Sequence, residues 1–135
     1  MKVFYVAGPF RAANAWEIEQ NIRRAEVVSL ALWRAGVAAL CPHTNTRFFQ
    51  GAAEDSVWLK GDLELLRRCD AVVLAPHWAS SSGTLAEIEQ ALKNGIPVYP
   101  DVNEAIHALA GRTHRVVLDH DLDRARAHYA LVKGG

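Results

Sequence analysis

The groups best suited to chemistry sit in two short segments: Gly8-Pro9-Phe10-Arg11, and Ser80-Ser81-Ser82-Gly83 with Glu87 just beyond. Each segment follows a short apolar run, Tyr5-Val6-Ala7 or Ala71-Val72-Val73-Leu74-Ala75, and leads into a stretch of helical period. A turn of small residues between strand and helix leaves backbone N–H groups open at the helix start, where phosphate binds well. Gly8 lets backbone approach a ligand closely, and Ser81, Ser82 and Gly83 offer hydroxyls and open backbone. Arg11 is either a bidentate phosphate grip or a solvated surface arginine. Glu87 is expected in the first turn of its helix, as a reactive carboxylate beside the anion or as an acid favoured by the helix dipole. Asp62 is a second carboxyl of the same ambiguity, expected early in its helix. A phosphate cradle beside a poised carboxylate points to chemistry on a phosphorylated sugar.

Further candidates fall at expected strand ends or in the loop that follows one. Pro9, Phe10, His43, Asn45 and His77 are placed to line a pocket. Trp58 and Trp78 either stack a base or are buried in the core. Trp16 and Trp33 read as packing residues of the first helix. His114, His120 and His128 match a metal cluster in composition only, and the two cysteines, Cys41 and Cys69, have no metal-ligand spacing.

The elements that must position these groups alternate. Lys2 to Ala7 reads as a buried strand, Asn14 to Ala35 as a helix with Asn14 and Glu17 in capping-box position, and Val37 to Cys41 as a second strand. His43 to Asp55 reads mainly as loop. A helix then runs from Asp55 or Ser56 to Arg68 with Leu59, Leu63 and Leu66 inward. Ala71 to Pro76 is a third strand, a helix continues through Glu87 to Asn94, and Ile96 to Tyr99 is a fourth. Val102 to Leu109 reads as helix, Arg115 to Leu118 as an extra strand and Leu122 to Val132 as a terminal helix. This alternation predicts an α/β fold: a three-layer, doubly wound, flavodoxin- or Rossmann-like parallel sheet of four to five strands with helices on both faces. In such sheets ligands bind beyond the carboxyl ends of the strands, where the candidates fall.

Composition narrows the class. At 135 residues the chain makes one domain, 1–135, and its 50% apolar and 22% charged residues are those of a folded protein. Fifteen basic residues balance fifteen acidic ones, so a nucleic-acid polymer is not the expected partner. No apolar run is long enough to span a bilayer, and the start of the chain does not read as a signal peptide, so the expectation is a cytoplasmic protein with two reduced cysteines.

Taken together, Tyr5-Val6-Ala7-Gly8-Pro9, Asn21-Ile22, Cys41-Pro42-His43 with Asn45-Thr46-Arg47, Gly61-Asp62-Leu63, Cys69-Asp70-Ala71-Val72-Val73, Ser81 to Glu87 and Gly95-Ile96-Pro97-Val98 resemble the nucleoside 2-deoxyribosyltransferase superfamily. The likeness is to a bacterial and phage branch, near the 2′-deoxynucleoside 5′-phosphate N-hydrolases. It covers residues 2–99, leaving 100–135 as a carboxy-terminal extension. The resemblance implies Glu87 as nucleophile, Asp62 as its supporting carboxyl, Tyr5 as the tyrosine that positions the nucleophile, and Gly8, Arg11, Ser81 and Gly83, with Ser82, around a 5′-phosphate. It implies hydrolysis of the base–sugar bond of a (2′-deoxy)nucleoside 5′-monophosphate, with neither metal nor cofactor, in a homo-oligomer whose sites lie near an interface. Base transfer, a non-catalytic nucleotide sensor and a phosphoribohydrolase of the cytokinin-activating kind, which Ser82 to Glu87 partly matches, are the alternatives.

Overall fold

A computed structural model describes residues 1–134. Four strands, β1 (Val3–Ala7), β2 (Ala38–Leu40), β3 (Ala71–Leu74) and β4 (Val98–Tyr99), form one all-parallel sheet in the order β2-β1-β3-β4. The helices are α1 (Ala15–Arg34), α2 (Pro42–Asn45), α3 (Asp55–Arg67), α4 (Ser82–Lys93), α5 (Val102–Leu109) and α6 (Asp119–Gly134), with a 3-10 turn at Trp78–Ser80.

The central strands are apolar on both sides, as a sheet covered on both faces requires. Phe4 and Val6 of β1 pack with Ala71 and Val73 of β3 against Ala25, Val28 and Leu32 of α1 and Ala105 of α5. Tyr5 and Ala7 pack with Val72 and Leu74 against Leu66 of α3, Leu85, Ile88 and Ala91 of α4, and Leu122 and Ala125 of α6. The architecture is therefore the three-layer, doubly wound α/β fold expected. The chain leaves β1 toward β2 in one direction and returns to β3 in the other, so the crevice opens between the ends of β1 and β3.

Local chemistry sets the boundaries. Asn14 caps α1 by accepting from the Glu17 N–H at 2.9 Å, and the Glu17 carboxylate reaches back to the Ala13 N–H at 3.3 Å. Gly36, at φ 88°, ends the helix in a left-handed conformation. Gly8 has a steric role: a Cβ there would stand 2.7 Å from the Ala75 Cβ. The Ala75 N–H donates to the Ala7 carbonyl at 2.8 Å, so β1 and β3 stay locked together just where Gly8 leaves the sheet. Gly8→Ala is expected to cost about 1–3 kcal/mol, the usual toll of overpacking, seen as a lower denaturation midpoint at unchanged m-value.

Several expectations need correction. The stretch after β2 begins with α2, because Pro42 has its φ preset for the first helical position. Arg115 to Leu118 is not a strand: only the Val117 N–H joins β4, donating to the Val98 carbonyl at 2.8 Å, while the Leu118 N–H is taken by the Asp121 carboxylate at 2.9 Å. The sheet accordingly has four strands and α6 starts at Asp119. Leu59 is 53% exposed, because the amino-terminal half of α3 stands at the crevice rather than over the sheet. Trp16 and Trp33 are surface residues, 74% and 54% exposed. Among the described residues no helix is long and apolar enough to cross a membrane.

Candidate active site

A cavity of about 1010 Å³ opens at the carboxyl ends of β1 and β3. Its walls are the loop after β1 (Gly8 to Ala12), the amino-terminal halves of α1 and α3, the residues Pro42 and His43 of α2, the serine turn and the end of α6.

Glu87 lines this cavity, but not from the first turn of its helix. The helix starts at Ser82, because Ser81 acts as N-cap and accepts from the Thr84 N–H at 3.2 Å, so Glu87 lies in the second turn. There the fully buried Tyr5 hydroxyl donates to its carboxylate. Burial pushes the Glu87 carboxyl up to about 8, the nearby Asp62 charge adds to the rise, and the Tyr5 hydrogen bond opposes it. Asp62 lies in the middle of α3, not in its first turn, and burial pushes its carboxyl up to about 6. The Tyr5 hydroxyl is driven well above its ordinary range by burial first and then by the two carboxylates. Two carboxyls with separated proton affinities and a phenol bound to one of them make a proton-handling group in a crevice.

The expected anion-binding residues also face the cavity. Gly8, Arg11, Ser81, Ser82 and Gly83 all line it. Ser82 and Gly83 are exposed at the start of α4, while the Ser80 hydroxyl is spent on the His77 carbonyl at 2.7 Å. Arg11 is ion-paired across the crevice with Asp55, the first residue of α3.

Of the expected pocket residues, Pro9, Phe10, His43, Trp58 and His77 line the cavity. His43 holds the loop after β1 to α2: its Nε2–H donates to the Pro9 carbonyl at 2.8 Å, and its ring lies 5.6 Å from that of Phe10. Burial lowers its proton affinity, and its buried Nδ1 has no hydrogen-bond partner among the described residues. His77 adopts the left-handed conformation at φ 66°, an uncommon one for a residue with a side chain. Asn45 is exposed and stands outside the cavity, since α2 turns its side away from the opening. Trp78 is also outside it, packed against the core on the α4 side of the sheet.

The structure adds residues that the sequence reading did not single out for the site. Trp16, Gln20 and Arg24 line the cavity from α1, and Tyr129 and Lys133 line it from α6. The spacing of the α1 trio, one residue per turn, was the available signal. For α6 there was none, because it lies in the extension beyond the recognised pattern.

A doubly wound α/β protein with its crevice at the switch between β1 and β3 is a class built to hold small ligands at strand ends. Within that class, the chain belongs to the family described as Domain of unknown function (DUF7768), whose model matches residues 2–100. The solved structure of a 2-deoxyribosyltransferase from the psychrotolerant bacterium Bacillus psychrosaccharolyticus is similar at a TM-score of 0.54 and 23% identity, over 72% of this chain and 69% of that one. A conserved protein from Enterococcus faecalis V583 is similar at a TM-score of 0.59 and 19% identity, over 95% and 99% of the two chains. At these identities the likeness is one of fold. No curated protein matches the sequence.

Proposed function

We propose that this protein is an N-glycosidase that cleaves the base–sugar bond of a (2′-deoxy)nucleoside 5′-monophosphate. The observation that carries the reading is the Glu87 carboxylate, held by the buried Tyr5 hydroxyl in a cavity that also presents Asp62. A Glu87 oxygen attacks C1′ of the sugar, and the C1′–N bond breaks with its electron pair going to the base. Asp62, in its protonated form, gives the departing base a proton. Water then attacks C1′ of the glycosyl ester, loses its proton to Asp62 and releases the sugar phosphate. The fold likeness to a protein named 2-deoxyribosyltransferase supports chemistry of this kind, and with a second base in place of water the same intermediate yields transfer.

The phosphate would lie at the start of α4, with Ser81, Ser82, Gly83 and Gly8 around it and Arg11 reaching across. Because Arg11 must leave Asp55 to engage a phosphate, Arg11→Ala is expected to weaken nucleotide binding by about 1.5 kcal/mol, the low end for a charged hydrogen bond, and nucleoside binding not at all. Titration calorimetry with each ligand reads the difference. The test of the reaction is a chromatographic screen of ribo- and deoxyribonucleoside 5′-monophosphates for free base, with Glu87→Ala in parallel. Base release that disappears in the variant is expected. Equal release by the variant would overturn the mechanism, and binding without release would leave a sensor.

A further inference from the structure

We propose that the Trp16–Gln20–Arg24 face of α1 recognises the base, and that it selects a base presenting two adjacent hydrogen-bond acceptors. Those are the O6/N7 edge of a 6-oxopurine and the O2/N3 edge of cytosine. This rests on the nucleotide reading above, which assigns no residue on α1.

The three residues are successive turns of one helix and all line the cavity. Trp16 is 74% exposed, an unusual position for a large aromatic ring unless something covers it. Arg24 is partly buried and its Nη1 donates to the Asn21 Oδ1 at 3.0 Å. Asn21 is in turn fixed by donating its Nδ2–H to the Phe10 carbonyl at 3.1 Å, so the guanidinium is oriented from the loop after β1. Its neighbour Arg23 takes Glu26 at 3.2 Å, whereas among the described residues no carboxylate pairs with Arg24. A half-buried cation without a counter-charge is costly, and it is tolerated where a ligand completes it.

The position of α1 separates this face from the phosphate end. α1 covers one face of the sheet, and α4, with the serine turn, covers the other. A nucleotide with its phosphate at the start of α4 therefore turns its base toward α1. The guanidinium fork needs two acceptors side by side, which adenine and thymine lack. As the C1′–N bond breaks, its electron pair moves onto the base, and the Arg24 guanidinium stabilises that charge until Asp62 delivers the proton.

The test compares base release from the 2′-deoxynucleoside 5′-monophosphates of guanine, hypoxanthine, cytosine, adenine and thymine by the wild type, Trp16→Ala, Arg24→Ala and Arg24→Lys. Binding of 2-deoxyribose 5-phosphate, which has no base, serves as the control for folding. The wild type is expected to favour guanine, hypoxanthine or cytosine. Arg24→Ala should lower kcat for the favoured base by about 100-fold, with Arg24→Lys restoring part of it and sugar-phosphate binding unchanged in both. Trp16→Ala should weaken all five nucleotides alike, by about tenfold, because stacking does not read the base edge. Turnover of adenine or thymine nucleotides as fast as the others, or full kcat in Arg24→Ala, would overturn this inference alone. Loss of sugar-phosphate binding in Arg24→Ala would overturn it as well, by making Arg24 structural. Absence of base release from every nucleotide would overturn the N-glycosidase reading and this inference with it.

Discussion

Glu87→Gln is expected to lower base release by roughly 10⁴-fold or more, since the amide keeps the shape of the side chain but cannot form the glycosyl ester. The same substitution is expected to stabilise the fold at alkaline pH. In the unfolded chain a glutamate ionises near its ordinary value of 4.5, whereas in the folded protein burial moves Glu87 to about 8. Between those values the folded state holds the extra proton, so rising pH drains stability and the loss is complete above about 8. Glutamine has no proton to lose. Relative to the wild type, the variant should therefore gain stability from pH 5 to pH 8, by at least about 1.4 kcal/mol, the worth of one pKa unit. Urea denaturation at the two pH values measures this. A variant that is both inactive and more stable is the pattern of a group kept for function at the expense of stability. A variant as active as the wild type, or one with no pH-dependent gain, would remove Glu87 from the role.

Asp62→Asn is expected to lower kcat by 10²- to 10⁴-fold, the range for losing a general acid, and to change the shape of the pH profile. In the wild type Glu87 must be ionised to attack while Asp62 must hold a proton to give. The higher proton affinity of Glu87 makes the active arrangement the minor one-proton form of the pair, and with the pair titrating in steps near about 6 and about 8, kcat/KM should still be bell-shaped between them. Below the lower step both carboxyls are protonated and there is no nucleophile. Above the upper step both are ionised and there is no acid. In Asp62→Asn the alkaline limb disappears, because no acid remains to be lost. The acid limb moves to higher pH, from the pair's lower step toward Glu87's own, because Glu87 alone must now ionise and burial still raises it. A profile measured from pH 5 to 9 that stays bell-shaped in the variant would assign the acid elsewhere.

Much of this arrangement could be read from residue order. The strands β1 and β3 declare themselves as apolar runs flanked by Gly8 and Pro76, and the Asn14–Glu17 pair marks the start of α1. Residue order does not carry where an element meets its neighbours. Helical period alone placed Leu59 inward, yet the sheet does not extend beneath that turn of α3. Glu87 reads as a first-turn residue because its helix begins farther upstream than the apolar pattern indicates, whereas α3 starts at Asp55 as the sequence suggests and Asp62 lies two turns into it. Ser81 as N-cap decides that start of the Glu87 helix. A tryptophan in an amphipathic helix usually packs, as the sequence suggests for Trp16, and only the open crevice beside it shows otherwise. Asn45 lies close in sequence to a strand end, but side-chain direction, which sequence distance does not encode, sends it away from the cavity, while Trp78 takes the core-packed one of its two readings.

Tyr5 is both a core residue of the sheet and the donor to Glu87, and β1 pairs on both sides, with Tyr5 opposite Leu40 and Val72. Successive residues of a strand face opposite sides, so a shift of β1 by a single position would put Phe4 or Val6 beneath Glu87 and carry the hydroxyl to the α1 side. A misregistered sheet could retain its helices and much of its compactness and still lack the donor. Turnover would then serve as a ruler for strand alignment, distinguishing native molecules from near-native ones that circular dichroism counts as folded.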